Sequence, residues 1–292
     1  MPIDRDKALK HEFADGEGGW ERDDVILYHL GVGAGVPNTD PSELEYTYEK
    51  NLKVLPSFPT TVRTGVTTNI FAVPGLEFNP ALLLHGEQDI EIHQPLPPEA
   101  KFRGSARIVD IYDKGKAALL ILEISTTDPS GARLFTSRMS LFLRGEGNFG
   151  GPSGPKVANE APDREPDGVI ESETLPQQAL LYRLNGDKNP LHCDPDFAKS
   201  AGFDTPIIHG LCSYGIVCKA VVDSALDGDV SQVARYQARF RGVGFPGETY
   251  LTRYWREGDR ILIDSSSKQR NSIIISNAAI TLRDRAAHRS PG

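Results

Sequence analysis

Residues 211–222 read LCSYGIVCKAVV and carry a single charge, at Lys219. The apolar side chains cover most of a helical wheel, which predicts a helix that is buried on nearly every side. We expect this central helix to run from about Gly210 to Ala225. An antiparallel sheet wrapped around it would give an α+β fold.

Four strands with turns between them follow this helix. Alternating side chains predict strands at 234–240, 249–255, 261–267 and 273–282. The first half of the chain has the same order, with strands expected at 86–92, 102–111, 117–127 and 133–143. The ends of the halves also correspond, SRMSLFLR at 137–144 against SNAAITLR at 276–283. The chain therefore reads as a tandem duplication, with one antiparallel sheet in each unit.

The duplication predicts two units joined by a linker. We expect a first unit over residues 1–150 and a second unit over residues 168–292. Residues 151–167 lie between them and are rich in glycine, proline and charge, which is typical of a linker. Two units also suit a chain of 292 residues.

A polar stretch, YRLNGDKNPLH at 182–192, precedes the apolar helix. It brings together a carboxylate, an amide and an imidazole in Asp187, Asn189 and His192. Gly186 permits backbone angles that other residues avoid, and Pro190 favours an extended residue before it. The stretch is therefore predicted to be a stiff, irregular loop.

The start of the apolar helix complements this loop. His209 and Gly210 lie there, where backbone N–H groups have no intrahelical partners and the helix dipole is positive. Asp187 and His192 supply an acid/base pair, and the helix start supplies a donor for a developing oxyanion. Together these features predict an addition–elimination site.

The first unit provides an internal comparison for this site. When residues 28–30 are superposed on residues 182–184, Gly33 takes the place of Asp187 and Asn38 takes that of His192. We therefore expect one active site per chain, in the second unit. The first unit would be catalytically silent and would contribute binding surface.

The composition excludes several other classes of protein. A net charge of -8 and a pI near 5.4 argue against nucleic acid or an anionic membrane as the main partner. The three cysteines lack zinc spacing and predict reduced thiols, which favours the cytoplasm. Residues 4–12 lack the apolar core of a signal peptide, and no segment has the length of a membrane span.

The polar loop and helix start resemble the signature of the MaoC-like, R-specific enoyl-CoA hydratases, also called type two hydratases. The matching residues are Tyr182, Leu184, Gly186, Asp187, Asn189, Pro190, Leu191, His192, Asp194, Pro195, Ala201, Gly202, Phe203, His209, Gly210 and Leu211. Residues 30–34, 55–59 and 84–88 resemble the N-terminal repeat of the same family. One departure is Asn185, which stands where small residues are common, and we expect little consequence from it.

The resemblance implies a double hotdog fold and reversible hydration of a trans-2-enoyl-CoA to a (3R)-3-hydroxyacyl-CoA. It implies no metal and no organic cofactor. By similarity, Asp187 and His192 hold and activate the water, Asn189 helps to orient the site, and the Gly210 N–H polarises the thioester carbonyl. Pairing of two chains into a homodimer is also implied.

Four further residues are expected to line the substrate site: His209, Tyr182, Leu211 and Phe58. Of these, His209 is expected to be a structural partner beside the oxyanion donor rather than a second base. Val54, Leu55, Phe58, Phe71 and Leu76 are candidates for the lining of an acyl tunnel. Candidates for contact with the coenzyme A phosphates are Lys53, Arg63, Arg103, Arg239 and Arg241.

The residues leave several functions open. The same groups would serve a 3-hydroxyacyl dehydratase that works on acyl carrier protein in lipid synthesis. A hotdog thioesterase and a non-catalytic binder of acyl thioesters are further alternatives. The sequence does not fix the acyl-chain length or the pathway.

Overall fold

The computed structural model describes residues 3–66, 68–156 and 158–284, except for the side chain of Ala81. The described part of the chain forms one antiparallel sheet of ten strands. Five strands come from the first half of the chain: β1 (Gly16–Trp20), β2 (Leu83–Ile92), β3 (Ala100–Asp113), β4 (Ala117–Thr127) and β5 (Arg133–Arg144). The other five come from the second half: β6 (Gly168–Glu173), β7 (Val233–Phe240), β8 (Thr249–Glu257), β9 (Arg260–Ser267) and β10 (Ser272–Leu282).

The order of the strands shows the internal repeat. It is β1-β3-β4-β5-β2-β7-β10-β9-β8-β6, so the two halves are arranged in the same way about a central junction. At that junction the equivalent strands β2 and β7 pair antiparallel, from Glu87 opposite Arg239 to Glu91 opposite Arg235. The expectation of a separate sheet in each unit is therefore corrected. The two halves share one continuous sheet, because β2 and β7 satisfy each other's edge hydrogen bonds.

Six α-helices lie among the described residues. They are α1 (Arg5–Leu9), α2 (Arg22–Gly31), α3 (Pro41–Thr47), α4 (Gln178–Tyr182), α5 (Pro195–Ser200) and α6 (Gly210–Ala225). The bounds of α6 are those predicted from the apolar run. Within residues 3–66, 68–156 and 158–284, none of the helices combines the length and the apolarity that crossing a bilayer requires.

The central helix α6 packs on the inner face of the sheet. Val217, Val221 and Val222 are fully buried and join a core that includes side chains of both halves of the chain. Lys219 emerges on the other side of the helix, where its Nζ donates to Glu43 at 2.6 Å and to Asp223 at 2.8 Å. The one charge in the apolar run therefore ties α6 to α3 of the first half.

The first half has no counterpart of α6 among its described residues. Between α3 and β2 the chain forms only short 3-10 turns, such as Phe58–Thr61 and Ile70–Ala72. Buried side chains of this segment fill the space that a long helix would take. Leu55 and Phe58 belong to the main core, whereas Leu76 packs with Ile108 in a second cluster. The prediction that Leu76 lines the same tunnel as Phe58 is therefore not supported.

A ladder of charges crosses the opposite face of the sheet. Arg235 of β7 pairs with Asp89 of β2 at 2.6 Å, and Arg138 of β5 lies 3.6 Å from the same carboxylate. Glu123 of β4 then pairs with Arg138 at 2.7 Å and with Arg107 of β3 at 2.8 Å. Such a network is worth more than isolated surface pairs. It stabilises the junction between the halves.

Candidate active site

The loop that follows α4 has the irregular, stiff backbone predicted for it. Gly186 has a φ of +125°, which a residue with a side chain rarely adopts. Asp187 Oδ1 accepts the N–H of Asn189 at 3.1 Å, and Asn189 Oδ1 accepts the N–H of Leu191 at 3.0 Å. Asn189 therefore shapes the loop by capping the short 3-10 turn that ends at His192. The unusual Asn185 donates to the Tyr182 carbonyl at 3.0 Å, which closes the turn before Gly186.

The imidazole of His192 is buried and held in one orientation. Its Nδ1–H donates to the carbonyl of Ile207 at 2.9 Å, so Nε2 is left as the nitrogen with a free lone pair. Burial lowers the pKa of His192, while the Ile207 hydrogen bond and the Asp187 charge oppose that shift. The charge of Arg183 lowers this pKa further. The ring is therefore neutral at physiological pH and can accept a proton.

His209 stacks on His192 and is buried as well. The ring centroids lie 3.7 Å apart with an angle of 28° between the planes. His209 Nε2 donates to the backbone carbonyl of Asp187 at 3.3 Å, and its Nδ1 has no partner among the described residues. Burial and the neighbouring His192 lower the pKa of His209 to about 4. This neutral ring packs on His192 and donates to the loop backbone, and its structural role remains a prediction.

Asp187, His192 and His209 each place a side-chain donor atom within 4.8 Å of the others. Asp187 is exposed, whereas both imidazoles are buried. A trio of this kind can hold a metal ion or a water molecule. The spacing of the Asp187 and His192 atoms is one that a single water molecule can bridge by two hydrogen bonds.

Gly210 is the first residue of α6 and is exposed. His209 precedes it as the N-cap residue with extended backbone angles and makes no side-chain cap. The N–H groups of the first turn of the helix are therefore available to an outside acceptor. The ring of Phe240, at the end of β7, lies 3.5 Å from the position that a Cβ of Gly210 would take. The space beside Gly210 is therefore bounded by Phe240.

The remaining predicted residues are distributed around this centre. The ring of Tyr182 lies 5.0 Å from that of His209 and is fully buried, so its hydroxyl does not reach solvent. Leu211 is half-buried and packs against the main core. Phe58 lies further away in the first half, with its ring 5.6 Å from that of Tyr28. The structure thus brings Tyr182 and His209 to the acid/base pair, whereas Phe58 packs in the main core next to Tyr28.

Three functional contacts were not predicted from the sequence. Ile207 contributes only its carbonyl, and a backbone acceptor leaves no signal in side-chain identity. Phe240 reads simply as a strand residue, and its contact with Gly210 depends on the path of β7. Arg183 lies within the motif itself, so the effect of its charge on the pKa of His192 could have been predicted from the sequence.

The structure separates the candidate phosphate ligands into two groups. Lys53, Arg103 and Arg239 each pair with a carboxylate, namely that of Glu45, Glu17 and Glu87. Arg63 and Arg241 have no ion-pair partner in the described part of the chain and are exposed. Paired cations are less available to a substrate, so only Arg63 and Arg241 remain as candidates.

Comparison with known proteins agrees with this geometry. Residues 19–145 match the MFE-2 hydratase 2 N-terminal domain, and residues 157–278 match the MaoC like domain. An enoyl-CoA hydratase of Mycobacterium tuberculosis, ChsH3, is 45% identical over 94% of this chain and 97% of its own length. A peroxisomal enoyl-CoA hydratase 2 of Arabidopsis thaliana is 41% identical over 92% of this chain and 93% of its own length.

A solved structure supports the same assignment. The MaoC-like dehydratase of Phytophthora capsici superposes with a TM-score of 0.84 and 33% identity, covering 96% of this chain and 98% of that one. The continuous sheet around α6 is the double hotdog fold that the sequence predicted. The loop at residues 182–192 and the start of α6 therefore lie in a chain that belongs to the MaoC-like hydratase 2 family.

Proposed function

We propose that this protein is a hydro-lyase that reversibly hydrates a trans-2-enoyl-CoA to a (3R)-3-hydroxyacyl-CoA in fatty-acid metabolism. One observation carries the proposal. The carboxylate of Asp187 and the neutral imidazole of His192 lie within 4.8 Å of each other, beside the exposed first residue of a buried helix. An acid/base pair next to an oxyanion donor is what addition of water to an enoyl thioester requires.

The acid/base pair handles the protons of the reaction. A water that bridges Asp187 and His192 loses one proton as its oxygen forms a bond to C3. C2 gains a proton as the double bond is lost, so the water is consumed completely and nothing leaves. Because the pair acts from one side of the double bond, both additions take place on the same face. General acid/base groups of this kind contribute about 10²- to 10⁴-fold in rate.

The helix start handles the negative charge. As water adds to C3, charge builds on the thioester oxygen, and the N–H of Gly210 is free to donate to it. Gly210 is the first residue of the largely buried helix α6, so the donor does not need to reorganise during the reaction. A donor of this kind is worth about 3 kcal/mol.

The first repeat has a supporting role in this proposal. We assign residues 1–150 to an N-terminal hotdog repeat that binds substrate without catalysis, residues 151–167 to a linker, and residues 168–292 to the hydratase repeat. Gly33 and Asn38 stand in place of Asp187 and His192, so the first repeat has no acid/base pair.

The assembly and the compartment are also proposals. Pairing of two chains is supported by the family to which this chain belongs, and light scattering would test it by measuring the mass of the particle. A cytoplasmic location is supported by the three free cysteines, although the Arabidopsis relative is peroxisomal. Fractionation of cells that produce the protein would test that assignment.

The proposed reaction is tested by the loss of enoyl-thioester absorbance with CoA esters of increasing chain length. A thiol-reactive dye in a parallel assay reports hydrolysis. Loss of absorbance without free thiol is expected. Release of thiol would identify a thioesterase, and turnover of only the carrier-protein ester would identify the dehydratase of lipid synthesis. Tight binding without turnover would identify a silent binder.

A further inference from the structure

Residues 207–209 form a bridging segment that leads into the start of α6. Two peptide groups of this segment face the site. The first joins Ile207 and Ile208, and its carbonyl accepts the Nδ1–H of His192 at 2.9 Å. The second joins His209 and Gly210, and its N–H is the donor that the proposed function assigns to the thioester oxygen. Both parts of the proposed chemistry therefore depend on how this segment is held.

Backbone groups hold the first of these peptides. The N–H of Ile208 donates to the carbonyl of Gly244 at 2.8 Å, and the N–H of Ile207 donates to the carbonyl of Leu191 at 3.4 Å. A trans peptide group is planar, so its C=O and its N–H point in opposite directions within one plane. The hydrogen bond to Gly244 therefore fixes the direction in which the Ile207 carbonyl meets His192.

Two side-chain hydroxyls act on the second peptide. The carbonyl of His209 accepts the N–H of Ser213 at 3.1 Å, and it also accepts the hydroxyl of Ser213 at 3.4 Å. The Oγ of Ser213 lies 2.7 Å from the hydroxyl of Tyr250. Because the hydroxyl proton of Ser213 points at the His209 carbonyl, Tyr250 is the donor in the contact between the two hydroxyls. The result is a relay from Tyr250 through Ser213 to the carbonyl of His209.

The relay is buried and closely packed. Tyr250 is 0% exposed and Ser213 is 1% exposed, so water does not compete for either hydroxyl. Gly244 makes room for the relay, because a Cβ at that position would overlap the Tyr250 hydroxyl. The hydroxyl of Tyr250 therefore lies beside the same glycine whose carbonyl holds the peptide of Ile207 and Ile208. One residue of β8 thus lies next to the supports of both peptides.

Donation to the His209 carbonyl has two effects on the N–H of Gly210. Since both groups belong to one planar peptide, a carbonyl held in place sets the direction of the N–H. Hydrogen bonds in a chain also polarise one another, so donation to the carbonyl makes the N–H a stronger donor. Such a donor contributes most when negative charge has built up on the oxygen that it meets. The relay therefore favours the transition state over the bound substrate.

We propose that Tyr250 is a positioning residue, which acts through Ser213 to orient and polarise the peptide group whose N–H binds the thioester oxygen. This inference rests on the proposed hydration, because it explains how the N–H of Gly210 is prepared for that reaction. Tyr250 is buried and touches no substrate. Its contribution reaches the reacting atoms only through the peptide of His209 and Gly210.

The first test removes the hydroxyl and keeps the ring. Tyr250→Phe should lower kcat for enoyl-CoA hydration about three- to tenfold, the size of one buried hydrogen bond. KM should hardly change, because the lost interaction acts in the transition state. Ser213→Ala should give the same loss, and the double variant should lose no more than either one. Tyr214→Phe is the matched control in α6, since its buried hydroxyl donates to the Tyr236 carbonyl at 2.7 Å, and kcat should stay unchanged.

A second background separates positioning from a merely structural role. Gly210→Pro lacks the N–H but keeps the helix start, since proline suits the first position of a helix. In this background Tyr250→Phe should lower kcat no further, because the group on which the relay acts is absent. A structural role would lower kcat by the same factor in both backgrounds. That outcome, or an unchanged kcat in Tyr250→Phe alone, would overturn the inference.

A measurement on the free protein tests the relay without turnover. In protein labelled with ¹⁵N-glycine, the amide resonance of Gly210 is identified by its loss in Gly210→Ala. Tyr250→Phe should move this resonance, whereas Tyr214→Phe should leave it in place. If the parent hydrates no thioester, the proposed hydration fails, and the resonance still decides whether the relay acts on this peptide. An unmoved resonance in Tyr250→Phe would overturn the inference.

Discussion

The two repeats share a sheet but differ in what covers it. In the second repeat, the sixteen-residue helix α6 packs on the inner face and brings a free helix start to a loop that carries Asp187 and His192. In the first repeat, short turns and the buried Leu55 and Phe58 cover the corresponding face. In the proposed function, the second repeat carries the chemistry and the first repeat shapes the space beside it. The predictions below test how far this division holds.

The largest loss of kcat is expected from a change in the acid/base pair, and none from a change at the matching position of the first repeat. Asp187→Asn should lower kcat by about 10²- to 10⁴-fold, because the variant can no longer take up a proton from the bridging water. Asn38→Ala changes the residue that replaces His192 in the first repeat and should leave kcat unchanged. Steady-state kinetics on the two variants would measure this. A comparable loss in Asn38→Ala would refute the silent role of the first repeat.

The next largest loss of kcat is expected from a change at Gly210, the first residue of α6. Gly210→Pro removes the donated N–H, yet proline is well accepted at the first position of a helix, and His209 already has a compatible backbone. We expect kcat to fall about 10²- to 10³-fold. Gly210→Ala keeps the N–H, and its methyl group would meet Phe240 at an ordinary 3.5 Å, so it should stay close to the parent. Equal kinetics for the two variants would show that this N–H does not stabilise the oxyanion.

The pH dependence of kcat/KM tests a residue for which the repeats differ in sequence. In the superposition of residues 28–30 on residues 182–184, Arg183 falls on His29. Burial lowers the pKa of His192 most, and the charge of Arg183 lowers it further. His192 must be neutral to accept a proton, so kcat/KM should fall as the pH drops through this lowered pKa, at a lower pH than for an ordinary histidine.

Arg183→Gln should raise that pKa and move the acid limb to higher pH, with a change of at most about tenfold at any one pH. Lys199→Gln, an exposed charge change on α5, should not move the limb. A pH–rate profile of the three proteins measures the shift. An unchanged limb in Arg183→Gln would mean that this charge does not act on His192.

The smallest effect concerns the contact between the repeats. Buried Gln178 donates to the Gly31 carbonyl at 2.6 Å and accepts the Leu175 N–H at 3.0 Å. Gln178→Leu leaves the Leu175 N–H unpaired and leaves the Gly31 carbonyl with only the weak thiol donor of Cys212, at 3.4 Å. The free energy of unfolding should fall by about 1 to 3 kcal/mol. Exposed Gln177→Leu is the control. Denaturant titration of both would show whether this contact supports the packing of the repeats.

Much of the fold could be predicted from the sequence, because strands and helices leave local patterns of apolar residues. The strands of the second half alternate clearly, and α6 is apolar around most of its circumference, so their bounds were predicted within about two residues. The edge strands β1 and β6 were missed. β1 reads GEGGW, which has no alternating pattern, and β6 spans only six residues after the linker. Their pairing with β3 and β8 depends on tertiary structure.

Prediction of the site was limited in the same way, by contacts that depend on tertiary structure. Asp187, Asn189 and His192 could be named because Gly186 and Pro190 leave a recognisable mark on the loop. The carbonyl of Ile207 and the ring of Phe240 could not, because their roles depend on where distant segments meet.

The central claim is that His192 and its loop add water to an enoyl thioester with one stereochemical outcome. The most direct measurement is hydration of an enoyl-CoA by the parent protein and by His192→Ala, with chiral analysis of the product. We expect the parent to give the 3R product and the variant to lose most of its turnover while remaining folded. A 3S product, or a folded variant with the activity of the parent, would contradict the account.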